Sequence, residues 1–318
     1  MFSMVQKRRW FYLFSAAVII PGLLIMIYSL FTTGKLFRLS IDFEGGSIYE
    51  LKFTAPGATE SNIRDVFAGF GDDSVIIQQI GDPGSYRWSV RSSLAFDENQ
   101  TQQITDALNQ LAPLDRNSFL QETVSATIGQ EVTRAALAAV GVVAVIITGF
   151  IVIAFRQVPN AFRYGVCAVA AMIHDVLVVS AVTSLLGLLF GWEVDALFLT
   201  AVLTVVGYSV QDTIVLFDRI RENIPKHLGE PYETIVNRSI LETIHRSLAT
   251  QLNAFFIMIA ILLFGGESIK QFIAIMFVGL LTGTYSSIFI AVPLLVSWEK
   301  GEIPFVNRNK ALSATAEA

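Results

Sequence analysis

Apolar and polar positions follow two different patterns along this 318-residue chain. Six long apolar runs lie near residues 10–31, 135–155, 164–190, 195–217, 247–264 and 272–298. Each has about the 20 residues that a helix needs to cross the hydrocarbon of a bilayer. Residues 32–134 hold no such run. There, 47–54 (SIYELKFT) alternates with period two, as a half-buried strand does, and 59–70 (TESNIRDVFAGF) opens on a threonine cap with helical spacing behind it. Strands are expected at 74–80 and 86–92, joined by a turn at Gly81-Asp82-Pro83-Gly84-Ser85. Ile104, Leu108 and Leu111 at i, i+4 and i+7 mark a helix over 97–111, Pro113 ends it, and 118–125 supplies a last strand. The order β-α-β-β-α-β is that of a ferredoxin-like split βαβ sandwich. The expected fold class is an α-helical polytopic membrane protein of six transmembrane helices with an α+β ferredoxin-like domain.

Composition agrees with a membrane protein: only 15% of residues are charged, against about a quarter in soluble domains, and mean hydropathy is +0.58. A net charge of −5 gives no reason to expect nucleic acid. The single cysteine, Cys167, lies in an apolar run and has no metal-ligand spacing around it. Lys7-Arg8-Arg9 precede the first run, which is long for a signal peptide and lacks a small-x-small cleavage site. Residues 1–31 are therefore expected to be a cytoplasmic N-terminus and an uncleaved first helix, kinked at Pro21. Arg156 and Arg163, then Arg219, Arg221, Lys226, Arg238 and Arg246, then Lys300, Arg308 and Lys310, fall in alternate connections. By positive-inside sorting both termini are cytoplasmic and 32–134 is outside. Residues 135–298 then carry the other five helices, with a cytoplasmic segment 218–246, and 299–318 form a cytoplasmic tail. Within that segment 232–245 is expected to lie along the inner membrane surface.

Polar residues inside the apolar runs carry the candidate chemistry. An ionisable side chain within a span is costly, so it faces other helices or water. Residues 206–223 (VGYSVQDTIVLFDRIREN) pass from an apolar run into charge, with Asp212 about 9 Å of helix before Asp218. Thr200, Thr204, Tyr208, Gln211 and Asp212 share one helix face. Asp212 either reaches headgroups or a backbone donor, or pairs with Arg246 of the next helix, which otherwise snorkels to water. An arginine beside a carboxylate favours the anion while low dielectric favours the neutral acid, a balance suited to a proton relay. His174-Asp175 sit near the middle of the third run, the histidine as packing partner or as part of a proton path. Tyr208 and Tyr285 are expected to pack. Gly279, Gly283 and Ser286-Ser287 form a small-residue stripe that lets helices approach closely. No GxxxxGK[ST], HExxH or paired Cys/His spacing occurs, so no ATP, metal, cofactor or enzymatic chemistry is expected of this chain.

Several of these segments together resemble the SecF branch of the SecD/SecF protein-export family. They are Asp42-Phe43-Glu44-Gly45-Gly46, His174-Asp175, the 206–223 string with Gly207 and Asp212, Thr243-Ile244-His245-Arg246-Ser247, and Phe264-Gly265-Gly266, in family order from about residue 7 to 298. Glu44 departs from the threonine common there. The resemblance implies an RND-like half in the bacterial inner membrane, paired with SecD. It would work beside the SecYEG channel, drawing preproteins out with the proton motive force. It also implies that Asp212 and Arg246 are the proton-linked pair. Two other readings are a half-size RND-like exporter of lipid or small molecules, and a scaffold that only stabilises SecD.

Overall fold

The computed structural model describes residues 4–73, 75–81, 83–156 and 160–302. In chain order the elements are α1 (Arg8–Thr33), α2 (Ile41–Glu44), β1 (Gly46–Lys52), α3 (Glu60–Gly69), β2 (Ile76–Ile80), β3 (Arg87–Ser92), α4 (Glu98–Leu111) and β4 (Leu120–Val124). There follow α5 (Ala126–Ala154), α6 (Ala161–Phe190), α7 (Ala196–Lys226), α8 (Tyr232–Phe264), α9 (Glu267–Ser286) and α10 (Val292–Glu299). A π-helical turn, Ser287–Ala291, joins α9 to α10. Two compact units emerge, Leu39–Ala138 and the remainder, with α5 running from one into the other.

In the unit Leu39–Ala138 the strands form one antiparallel sheet in the order β2-β3-β1-β4. With α3 after β1 and α4 after β3, this is the split βαβ arrangement expected from the alternation. Tyr49, Leu51 and Phe53 project from β1 and the residue after it onto Ile63 and Phe67 of α3 and Ile104 and Leu108 of α4, and all are fully buried. Each such side chain contributes about 1.5–3 kcal/mol of transfer free energy. Thr59 caps α3 by accepting from the Asn62 amide, and Asp97 with Gln100 forms a reciprocal capping box on α4. Ser74 of the expected strand, Asp82 of the expected turn and the tail beyond Glu302 lie outside the described residues.

Asp115, after α4, is held by the Ser118 hydroxyl at 2.9 Å, by Lys52 Nζ at 3.2 Å and by the Asn117 amide at 3.2 Å. These donors, the Ser118 hydroxyl foremost, hold its carboxyl below the usual range. A carboxyl depressed on folding adds stability above its unfolded value near pH 4, and that stability is lost as pH falls through the lower folded value. Asp115→Asn is therefore expected to flatten the acid limb of unfolding, read from Trp88 fluorescence in a chain whose other three tryptophans are Phe.

Among the described residues six helices are long and apolar enough to cross a membrane: Val5–Thr33, Ala126–Ala154, Ala161–Phe190, Ala196–Lys226, Tyr232–Phe264 and Ile269–Glu299. The chain is a multi-pass membrane protein. At 31 and 33 residues, α7 and α8 measure about 46 and 50 Å, well beyond the hydrocarbon. This corrects the expectation for 232–245, which is not a separate surface helix but the first turns of α8. No glycine or proline interrupts α8, and the Ser239 and Thr243 hydroxyls fold back on Ile235 and Ser239 carbonyls. Asn223 of α7 donates to Ser239 at 3.0 Å and to Glu242 at 2.8 Å, and Arg219 donates to Glu242 at 2.6 Å. Those contacts zip the two helices together, antiparallel, at their joined ends.

Candidate functional site

Asp175, fully buried on α6, is the centre of a polar cluster. Its Oδ2 accepts from Ser209 of α7 at 2.5 Å and from Ser286 of α9 at 2.7 Å. Its Oδ1 lies 3.1 Å from His174 Nδ1. The other ring nitrogen, Nε2, is 3.0 Å from Ser15 of α1. Close helix approach makes this possible. A Cβ at Gly279 would stand 2.2 Å from Val205, and one at Gly283 would stand 3.0 Å from Ser209 Cβ. The two glycines thus bring α9 against α7, which sets Ser286 beside Ser209. The Ser286 hydroxyl lies in the α-helical last turn, directly before the π turn, a feature frequent at functional sites.

Asp212 lies on the same helix as Ser209 but faces α8. It is 8% exposed, and its Oδ2 accepts from Gln251 Nε2 at 2.8 Å. The expected ion pair with Arg246 is corrected here. Among the described residues Arg246 makes no ion pair within 4.0 Å and no side-chain hydrogen bond, and it reaches Asp212 only through its field. Helix phase explains the difference. Ser239, Thr243, Ser247 and Gln251 form the buried stripe of α8, and Arg246 is rotated about 100° from Ser247. Arg246 is exposed and lines a cleft of about 270 Å³ with Asp218, Arg219, Glu222 and Glu242.

The other expected site residues fall in three places. Gln211 is exposed, as are Thr200, Gly207 and Tyr208 on the same side of α7. Thr250 and Asn253 are exposed on α8 beside Arg246. Asp42 is in α2, its amide held by Ser40, and Gly45 and Gly46 lead from α2 into β1 with φ of +81° and +118°. Gln251 and Ser15 were not foreseen. Gln251 had a signal, since it stands four residues after Ser247 on the inward stripe. Ser15 had none. Tyr285, expected only to pack, also gives its hydroxyl hydrogen to the Phe11 carbonyl at 2.9 Å. No group of three or more His, Cys, Asp or Glu that could hold a metal occurs among the described residues.

Comparison with known proteins gives two family matches. The model described as "Protein export membrane protein SecD/SecF, C-terminal" matches residues 103–301, and the SecD/SecF GG motif matches residues 28–56. The chain is 45% identical over 308 residues to protein translocase subunit SecF of Anaerolinea thermophila, covering 95% of this chain and 96% of that one. It is 38% identical over 324 residues to the SecF subunit of Thermobaculum terrenum, covering 99% of this chain and 100% of that one. The crystal structure of SecDF from Thermus thermophilus, described as a translocon-associated membrane protein, superposes with a TM-score of 0.75 at 30% identity. That match covers 94% of this chain but only 39% of the solved one.

Proposed function

This chain belongs to the SecD/SecF protein-export family, on the SecF side, and from that premise we propose that it couples the proton motive force to preprotein export with SecD and the SecYEG channel. Asp212 is the coupling carboxyl, Arg246 its mobile counter-charge, Gln211 a polar neighbour, and His174-Asp175 a second proton-linked pair. One observation carries the reading. Asp212 sits, almost shielded, at the edge of a polar face that the chain itself leaves open on two membrane helices. Thr200, Gly207, Tyr208 and Gln211 of α7 and Arg246, Thr250 and Asn253 of α8 are exposed there. Hydrocarbon against such a face is costly, so a partner with polar groups covers it. SecD is that partner, and an acid from it would take up Arg246. The larger part of the SecDF chain lies outside the match and supports a two-half assembly.

In this reading 1–31 carry the cytoplasmic N-terminus and first helix, 32–134 are the exported domain on the outer side, 135–298 are the other five helices with 218–246 cytoplasmic, and 299–318 are a cytoplasmic tail. Each proton crossing supplies about 2.3 kcal/mol per 100 mV, so a few protons bias helices whose two packings differ by a few kcal/mol. Protonation of Asp212 removes the charge whose field acts on Arg246 and weakens the Gln251 hydrogen bond, and α7 and α8 re-pack.

The test uses Gly207, around which nothing lies within 4 Å of a built Cβ. Gly207→Leu is expected to leave the chain folded, because a helical glycine costs about 1 kcal/mol relative to alanine and leucine is a good helix former. It should nonetheless abolish co-purification with SecD and the gradient-dependent part of export in reconstituted vesicles. Export that is unchanged when the proton gradient is collapsed in wild-type vesicles would overturn the reading.

A further inference from the structure

We propose that His174 and Asp175 bind a proton whose presence is read by Ser15 and Tyr285: the hydrogen bond between α1 and α6 reverses direction and the Ser15 hydroxyl adds a bond from α1 to α9. The inference rests on the proton-coupled reading above but concerns residues other than Asp212.

The argument is a hydrogen count. Asp175 Oδ2 is occupied by the Ser209 and Ser286 hydroxyls, so the pair exchanges its proton across the 3.1 Å between Oδ1 and His174 Nδ1. On the far side of the ring, Nε2 is 3.0 Å from Ser15 Oγ. Ser15 has one hydroxyl hydrogen and two destinations for it: His174 Nε2, or the Tyr285 oxygen at 3.5 Å. Tyr285 spends its own hydrogen on the Phe11 carbonyl, so towards Ser15 it only accepts.

Without an added proton, Nδ1–H donates to the Asp175 carboxylate, and bare Nε2 accepts from Ser15. The opposite tautomer would set two acceptors, Nδ1 and Oδ1, face to face. In this state the Ser15 hydroxyl ties α1 to α6. With one added proton, whether it rests on Nδ1 or on Oδ1, Nε2 carries hydrogen and donates to Ser15 Oγ. The Ser15 hydrogen must then turn to Tyr285, which adds a second bond between α1 and α9 to the one Tyr285 makes with the Phe11 carbonyl, while the bond between α1 and α6 remains with its direction reversed. A cavity of about 200 Å³ bordered by Phe14, Ser15, Val18, His174, Thr282 and Tyr285 leaves room for that turn.

The groups facing the pair are Ser15 from α1, Ser209 from α7, and Ser286 and Tyr285 from α9. Among the described residues no charged side chain from those helices hydrogen-bonds or ion-pairs with it. Since α1 leads directly into residues 39–138, the proton count is felt by a helix joined to that unit.

The chain has three histidines, His174, His227 and His245, which makes the test direct. The full chain, labelled with ¹⁵N-histidine and assembled with SecD in bilayers, is followed by NMR from about pH 5 to about pH 9. The His174 signals are identified by their loss in His174→Gln. Two forms are expected, one with bare Nε2 and one with Nε2–H. In Tyr285→Phe the Ser15 hydrogen loses its place in the loaded state, so the ratio of Nε2–H to bare form at a given pH should fall about three- to tenfold. Adding Ser15→Ala should erase that effect, because the hydroxyl that transmits it is gone. A single His174 form across the range, or equal ratios in wild type and Tyr285→Phe, overturns the proposal. Asp212→Asn should leave both forms in place, so failure of the coupling carboxyl and failure of this reader are told apart.

Discussion

Asp212→Asn is expected to reduce gradient-driven export to the level of vesicles lacking the chain, while the protein still folds and still assembles with SecD. Folding survives because the amide is nearly isosteric with the carboxyl and its oxygen still accepts from Gln251 Nε2, the bond that holds Asp212 now. The hydrogen bond is neutral instead of charge-assisted, at a cost of about 1 kcal/mol, which a domain with about 5–15 kcal/mol of stability tolerates. What is lost is the ability to take and release a proton. Asp212→Glu keeps that ability on a longer arm and is expected to retain part of the activity. Preprotein export and proton uptake measured on the same vesicles separate the outcomes. Full export in the Asn variant removes the coupling role, and equal loss in Glu and Asn points to packing instead of charge.

The sequence conveyed the layers of this fold better than its azimuths. Period-two alternation at 47–54, the threonine cap at 59, the turn at 81–85 and the spacing of Ile104, Leu108 and Leu111 were sufficient to write the order of elements from β1 to β4, because each signal is local. The start of α5 was missed by nine residues, since Ala126 opens a polar first turn that hydropathy does not mark. Both membrane carboxylates were visible as lone acids in apolar runs. Of their partners only His174, adjacent to Asp175 in sequence, was named. Depth counting put Arg246 level with Asp212, and charge attraction made it the natural mate, but the rotation of α8 presents Gln251 instead. Which face of a helix turns inward is set by packing against neighbours, here the Ser239–Gln251 stripe. A serine such as Ser15 within an apolar run carries no signal until a histidine from another helix arrives beside it.

Gly45→Ala is expected to destabilise the unit Leu39–Ala138 by about 3 kcal/mol or more, through two independent causes. Gly45 has φ +81° and ψ 177°, a region essentially closed to residues with a Cβ and costing about 1–3 kcal/mol. A Cβ there would also stand 2.7 Å from the Ala126 backbone, where α5 begins, so overpacking adds about 1–3 kcal/mol. Backbone cannot give way as the far end of a side chain can. Gly46 repeats the logic on the other side, with φ +118° and a Cβ 2.4 Å from the Ser92 carbonyl of β3. The glycine pair thus lets the chain leaving α2 pass between the start of α5 and the strand β3 without side-chain bulk. Proteolysis of the full chain, with cleavage within residues 39–138 as readout, checks this. The Gly45→Ala unit should open far more often than wild type, whereas Gly71→Ala, in the same unit and also at positive φ (+93°) but with nothing within 4 Å of its Cβ, should lose only about 1 kcal/mol. Equal cleavage in the two variants would mean that backbone strain alone accounts for the pair. The close approach to Ala126 would then contribute nothing measurable.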